Sequence, residues 1–596
     1  VIPAGLSPWD IVLYFGSLVV CFLLFQHSDL FHTSSSSYAY FKGHFSDFYD
    51  YNKSVIGGND YLPLIYVIFA IWNIPLYLFG LMHDVAGTGI QLGIVELVWT
   101  KSLIAVFYFG TMFLVYKIAS FISGEKEESK TIAVVFVSSP IAFFAAFIFG
   151  QYDIIGVFFT MLGFYFYLKN EHAKFSFFLS LAISLKFFAV IIYIPLLLLA
   201  EKRILHLVKN GLIALSATVL QVLFYLNNEA FRGNIFSLAG GKASGLIKLE
   251  LSRLNNSPYL IIFFSIICIY CFIKESNTTA EKNKNAIYIS LISYITMFST
   301  VIWHPQWFII LMPFWALNYL YVKDKAKSYL FDIVGMFSFI YIVVNKFPNN
   351  VDSNMLSTGA FRSFFSYIPL HNKSLFVKPL TTVFMGIFFV YLLSPFLVQI
   401  FQKNNDSKKE SDTKNTVNFL RFRFFFGIAI FVLPSLFCAI APKSIAQKID
   451  PEAYTIQGLE IDRKDAKTGK VSNALKVTQT FIGEYDGLTS IRMQIDLDDK
   501  TANSEITATL FDESHGTAAS RKIMTDRLDP DSLSLFFPPV PQSKGKMFYL
   551  EISSNDPVDS RLSLWKSASD SYGAGDLYEN GTKTSGDLCI ELIYDR

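Results

Sequence analysis

Residues 174–203 read KFSFFLSLAISLKFFAVIIYIPLLLLAEKR, and between 175 and 200 the only charged side chain is Lys186. A bilayer core about 30 Å thick is crossed by about 20 helical residues. This run exceeds one crossing and carries an ammonium near its middle. Lys169, His172 and Lys174 precede it, and Lys202 and Arg203 follow it. Basic flanks stay on the cytoplasmic side. The stretch therefore predicts a pair of helices with both ends cytoplasmic and a turn at Lys186 on the far side.

Working outward, further apolar runs fall near 11–26, 61–82, 91–121, 131–149, 152–168, 204–226, 258–274, 286–303, 306–322, 328–345, 379–401 and 419–441. The 596 residues are 52% hydrophobic and 17% aromatic but only 16% charged, against about 25% charged in soluble globular chains. A disordered chain and a collagen-like fibre are excluded. Net charge is +2 and no Lys/Arg block is present, which argues against nucleic acid as a partner. Residues 442–596 carry 18 basic and 25 acidic side chains, leaving 32 and 23 for residues 1–441. The expected organisation is a cationic membrane domain over 1–441 and an acidic, polar domain over 442–596. Residues 11–26 are expected to be an uncleaved first span, since no small-residue cleavage site follows them.

Loops bearing Lys126/Lys130, Lys169/Lys174, Lys202/Arg203, Lys323/Lys325/Lys327 and Lys403/Lys408/Lys409 are expected to be cytoplasmic. Alternation then places 27–60, Gln151-Tyr152-Asp153, 227–257, His304-Pro305-Gln306, 346–378 and the C-terminal domain outside. An odd number of crossings, about 13, follows if 61–82, interrupted by Pro63, Asn73 and Pro75, enters and returns or lies in the interface. The loop at 27–60 is long for a connection without regular structure and gathers His44, Asp47, Asp50 and Asp60 among aromatic residues. Such loops are functional or disordered, and the aromatic content argues against disorder.

The stretches 473–483, 488–497, 504–512, 533–538, 546–554, 561–567 and 587–596 read as strands. Ile491, Met493 and Ile495 alternate with polar neighbours, as do Phe548, Leu550 and Ile552. Seven or eight antiparallel strands predict a jelly-roll-like β-sandwich. Its acidic surface reads as a solvated face, with Trp565, Tyr572 and Tyr578 as exposed aromatics for glycan binding. Cys589 is alone there, and Cys268/Cys271 sit in an apolar run with no His or second pair nearby, so a disulfide or metal site is not expected.

Ionisable groups at membrane depth cost about 2.5–3.5 kcal/mol each and mark function. Asp60, in Asn59-Asp60-Tyr61-Leu62-Pro63, suits a general base or a helix N-cap. Asp47 and Asp50 are rival bases. Gln151, Tyr152 and Asp153 could bind a sugar or form an ordinary turn. Lys186 has no carboxylate within a helical turn in sequence, so it either seeks an external anion such as a lipid phosphate or snorkels. In Trp303-His304-Pro305-Gln306-Trp307, His304 could contact phosphate, with Trp303 and Gln306 towards the sugar, or the segment is an aromatic belt. Arg232, Lys242 and Arg253 add external cations. No Walker loop, GxSxG, HExxH or GxGxxG stands in a suitable context, which disfavours a nucleotide-driven pump and a serine or zinc hydrolase.

The ordered set resembles the membrane-embedded GT-C glycosyltransferases, above all the dolichyl-phosphate-glucose-dependent glucosyltransferases and their bacterial relatives. Asp60-Tyr61-Leu62-Pro63-Leu64 is similar to their Asp-Tyr-Pro-Pro-Leu, whose Asp is the catalytic base. Gly150-Gln151-Tyr152-Asp153 resembles Phe-Gln-Tyr-Asn, Arg232-Gly233 an Arg-Gly of a long external loop, and Lys186 and His304 single family residues. Order and spacing agree over 40–320. Leu62 and Asp153 depart from the pattern, and the extra acid could shift the base or offer a metal ligand. The resemblance implies a bacterial plasma-membrane enzyme that moves a hexosyl group from a polyprenyl-phosphate donor to a cell-surface glycan or lipid-linked acceptor. Lys186, Arg232 and His304 would hold the phosphate. No cofactor is required, though a divalent metal could assist. A transporter or flippase of a lipid-linked sugar is the alternative.

Overall fold

The computed structural model describes residues 6–25, 28–56, 59–82, 94–236, 259–301, 303–322, 324–346, 373–401, 417–426, 429, 455–497, 505–524, 532–554 and 562–595. Two units divide the chain, Val1–Ile440 and Ala441–Arg596. The first is helical. Its opening helix, Pro8–Leu24, starts with a reciprocal cap in which Ser7 and Asp10 each accept the other's backbone N–H.

Residues 28–56 are mostly helical rather than an irregular loop, forming Ser28–Ser36, Tyr38–Phe41 and Phe48–Ile56. Aromatic packing is the reason. Tyr40 stacks on Phe48 at 4.5 Å, and Tyr49 meets the rings of Tyr225 and Phe231. Of the two expectations for 61–82, entry and return is corrected, because Pro63–Leu78 is one helix with Pro75 inside it; a helix lying in the interface is not contradicted. Its buried Asn73 donates to the hydroxyls of Ser34 and Ser37, so the polar interruption is absorbed by the preceding helices.

Among the described residues, three helices are long and apolar enough to cross a membrane: Val95–Ser123, Ile204–Tyr225 and Lys325–Val343. A fourth crossing is made if Lys126–Val137 and Pro140–Ile148, bent by 53°, act as one. The bend lies where Ser139 caps the second helix and Pro140 begins it. Against the expected 13 or so spans, other apolar runs form helices of 10–17 residues, including Asp153–Leu168 and Tyr259–Ile273. Ile204–Tyr225 leaves Leu205, Leu212, Leu220 and Phe224 exposed, a face suited to lipid rather than water.

The stretch at 174–203 is the expected helix pair. His172–Leu185 ends at Lys186, whose backbone is extended (φ −154°, ψ 118°). A short 3-10 turn, Phe187–Ala189, leads into Val190–Ala200. The hydroxyls of Ser176 and Tyr193 lie 2.9 Å apart, so the chain reverses at Lys186.

The second unit is a pair of antiparallel sheets. Its strands are β1 (Thr455–Glu460), β2 (Ala466–Lys467), β3 (Val477–Ile482), β4 (Leu488–Leu497), β5 (Glu505–Phe511), β6 (Thr517–Met524), β7 (Ser532–Val540), β8 (Met547–Ser554), β9 (Leu562–Lys566), β10 (Leu577–Glu579), β11 (Thr582–Thr584) and β12 (Ile590–Asp595). One sheet runs β1-β12-β4-β9-β2 with β7 also on β4, and the other β11-β10-β3-β8-β5-β6. Ile491, Met493, Ile495, Phe548, Leu550 and Ile552 all face the core. Trp565, Tyr572 and Tyr578 are half-buried rather than exposed. Tyr572 packs on the core and accepts the Ile482 N–H, whereas Tyr485 is the more exposed ring, at 42%.

Candidate active site

Asp153–Leu168 and His172–Leu185 form an antiparallel pair joined through Asn170, which has φ 63°. Gly163 lets them touch: a Cβ there would sit 2.1 Å from Leu179 Cδ2. Asp153 opens one helix and Lys186 closes the other, so both stand at the same end. Lys186 Nζ lies 3.0 Å from Asp153 Oδ1, with the side chains 11% and 1% exposed. The expectation of an unpaired ammonium is therefore corrected: the hairpin supplies the carboxylate that local sequence lacks. The same burial removes the snorkelling alternative. Asp153 also does not act as a cap, because Tyr152 holds that position without a side-chain bond. An acid at a helix start and a base at a helix end also suit the helix dipoles.

Two tyrosines wall the pair. Lys186 Nζ donates to the Tyr61 hydroxyl at 3.4 Å and lies 4.6 Å from the Tyr61 ring and 5.8 Å from the Tyr152 ring, within cation–π reach. The rings themselves are 5.6 Å apart and edge-to-face. Gly150, at φ 76°, makes the turn before Gln151. A Cβ there would meet Leu30 Cδ2 at 2.9 Å, so the helix Ser28–Ser36 packs against this turn. Asp29, next to Leu30, interacts electrostatically with Lys186, Tyr61 and Tyr152. Sequence reading missed Asp29, although an acid immediately beyond an apolar run was the available signal.

The other candidates separate clearly. Burial alternates along Asn59 (buried), Asp60 (exposed) and Tyr61 (half-buried). Asp60 forms no hydrogen bond or ion pair among the described residues and does not cap the next helix, whose cap position is Leu62. Asp47 pairs with His44 Nδ1 at 2.7 Å. Asp50 accepts from Asn228 Nδ2 at 2.7 Å and from the Ala230 N–H at 3.1 Å, a structural clamp on residues 228–230. Arg232 is exposed and donates to the Leu226 carbonyl; no contact among the described residues joins it to Lys186. Lys242 and Arg253 lie outside the described residues.

The ring of His304 rests on Trp307 at 4.8 Å, and Trp307 rests on Phe188 at 4.9 Å, so His304 reaches the Lys186 turn through two rings. Trp303 is buried against Phe308 and Phe388, a core contact rather than an open stacking platform. Gln151 and Gln306 are buried, and the side-chain carbonyl oxygen of each lacks a hydrogen-bond partner among the described residues. Asn59, which sequence reading passed over, is buried too, beside the Tyr66 hydroxyl. Among the described residues no three His, Cys, Asp or Glu side chains gather as metal ligands.

No family model matches the chain, and no curated protein matches it. Among solved structures, it is similar to ArnT from Cupriavidus metallidurans bound to undecaprenyl phosphate, at 13% identity over 75% of this chain and 82% of that one, with a TM-score of 0.41. The apo state of the same protein gives 10% identity over 71% and 76%, with a TM-score of 0.36. Arabinosyltransferase EmbB from Mycobacterium smegmatis gives 8% over 94% and 64%, with a TM-score of 0.38. Superpositions of this quality leave the function to be read from the chain's own side chains.

Proposed function

We propose that this chain is a membrane glycosyltransferase that moves a hexosyl group from a polyprenyl-phosphate donor to a glycan or lipid-linked acceptor at the outer face of a bacterial plasma membrane. The observation that carries this reading is the Lys186–Asp153 pair, walled by Tyr61 and Tyr152, with the exposed carboxylate of Asp60, which has no hydrogen-bond or ion-pair partner among the described residues, one residue from Tyr61. The buried Gln151 and Gln306 oxygens, without partners among the described residues, call for an explanation, and a bound sugar is one that uses them. The acidic unit 442–596 is assigned to the same outer side, as a jelly-roll-like domain that engages the acceptor.

In this reading the donor phosphate enters beside Lys186 and shares its ammonium with Asp153. The acceptor oxygen forms a bond to the anomeric carbon as the bond from that carbon to the phosphate oxygen breaks. The phosphate leaves with the electron pair, stabilised by Lys186, with Arg232 and His304 as further phosphate contacts. Asp60 takes the acceptor hydroxyl proton. A single displacement inverts the anomeric centre. Asp29 is the second reading of the base, favoured by its place next to Leu30, which packs against the Gly150 turn before Asp153.

The test is transfer by the purified full chain in lipid vesicles containing undecaprenyl-phosphate sugars, with a panel of glycan and lipid-linked acceptors. Transfer that Asp60→Asn abolishes supports the reading. Lipid crossing the bilayer without transfer would make the protein a flippase. Full activity in Asp60→Asn together with loss in Asp29→Asn would move the base.

A further inference from the structure

Three carboxamides near the candidate site carry buried polar atoms whose hydrogen bonds the described residues leave incomplete. Asn59 is fully buried beside the Tyr66 hydroxyl, which can take one of its hydrogen bonds and leaves the rest of its carboxamide without a partner among the described residues. Gln151 and Gln306 each present an unpartnered oxygen at 1% and 5% exposure. Leaving such a group unpaired is unfavourable, so each calls for a partner.

Two of them stand beside Tyr61 and Asp153, the residues that touch Lys186. Asn59 is two residues from Tyr61, and the alternating burial puts both on the inner side while Asp60 turns outward. Gln151 stands two residues before Asp153. Gln306 lies in the 3-10 turn Pro305–Ile310, which packs against Phe144–Ile148 and Asp153–Leu168, the two elements that flank Gln151. Carboxamides both donate and accept without carrying charge, so they match hydroxyl groups.

Building on the glycosyltransferase reading above, we propose that Asn59 is a specificity-determining residue that, with Gln151 and Gln306, reads the hydroxyls of an uncharged, fully hydroxylated donor sugar. A site built to hydrogen-bond a hydroxyl rejects the analogue that lacks it, because its own groups are then left unpaired. The preference for the hydroxyl should therefore reside in the carboxamides and vanish with them.

The experiment uses the full chain in vesicles with undecaprenyl-phosphate glucose, mannose, galactose and arabinose. For the best of these, each single-deoxy donor is then compared in wild type, Asn59→Ala and Asn59→Asp. Wild type should disfavour at least one deoxy donor by about a hundredfold in kcat/KM. Asn59→Ala should lower kcat/KM for the hydroxylated donor and shrink that ratio to within a fewfold, whereas a merely structural loss would lower both donors alike and leave the ratio unchanged. An unchanged ratio in Asn59→Ala with transfer intact overturns the assignment, leaving the amides to ordered water, and leaves the glycosyltransferase reading standing. No transfer by wild type from any donor to any acceptor defeats both.

Discussion

Lys186 and Asp153 stand at the same end of an antiparallel helix pair, one closing a helix and the other opening its partner, and meet at 3.0 Å with side chains only 11% and 1% exposed. Removing one partner of a buried pair costs roughly 3–5 kcal/mol, because the other charge is left uncompensated, whereas replacing both with apolar groups is near neutral. Lys186→Met alone should therefore unfold at lower temperature than wild type. Lys186→Met with Asp153→Leu should recover most of that stability yet remain without transfer. Thermal unfolding and transfer assays on the same preparations separate the two roles, and recovery of activity in the double variant would show that the pair is only structural.

Asp50 and Asp60 should part company in opposite ways. Asp50→Ala removes the acceptor for the Asn228 amide and the Ala230 N–H and should lower stability by about 1–3 kcal/mol, with transfer per folded molecule preserved. Asp60→Asn touches no hydrogen bond among the described residues and should keep wild-type stability while kcat falls about 10²–10⁴-fold. Denaturation curves beside initial rates check both.

A second buried charge cluster lies elsewhere in the helical unit. Arg423 Nε donates to Asp332 Oδ2 at 2.8 Å, and Trp315 and Tyr319 donate to the same carboxylate at 3.0 and 2.7 Å. Arg423 also donates to the Val135 carbonyl and the Ser138 hydroxyl, which ties the helix at 417–426 to Lys126–Val137. Asp332→Ala should destabilise by roughly 3–5 kcal/mol without changing donor preference, measured as the temperature of inactivation against the ratio of rates for two donors.

In the β unit, burial pushes the Cys589 thiol up to about 11 from its ordinary 9.0. The folded state holds its proton where the unfolded chain has lost it. This group's contribution is therefore intact below pH about 9 and declines as pH rises to about 11. Iodoacetamide at pH 8 should label Cys589 in denaturant and spare it in the folded chain. Rapid labelling of the folded chain would show the thiol to be open.

Much of this fold was legible because its signals are periodic. The break at Lys186 followed from basic flanks on both sides of one long apolar run, and the alternation at 491–495 and 548–552 marked core strands. The weak signals failed for physical reasons. Strand β6, TAASRKIM, has no alternation, and β2, β10 and β11 are only two or three residues long. The helices within 28–56 lack an apolar run and form through aromatic packing on distant residues such as Tyr225 and Phe231. The Asp153 partner of Lys186 was hidden by local reading. Both residues stand nearly the same number of positions from the Asn170 turn, so hairpin geometry joins what a search within one helical turn could not.

The most direct test is the affinity of undecaprenyl phosphate, without sugar, for wild type and for the stability-recovered Lys186→Met/Asp153→Leu chain in detergent–lipid micelles. If the ammonium holds the donor phosphate, the double variant should bind at least tenfold more weakly, while an isoprenoid alcohol of the same length binds both alike. Equal affinity of the two chains for the phosphate would contradict Lys186 as the donor anchor.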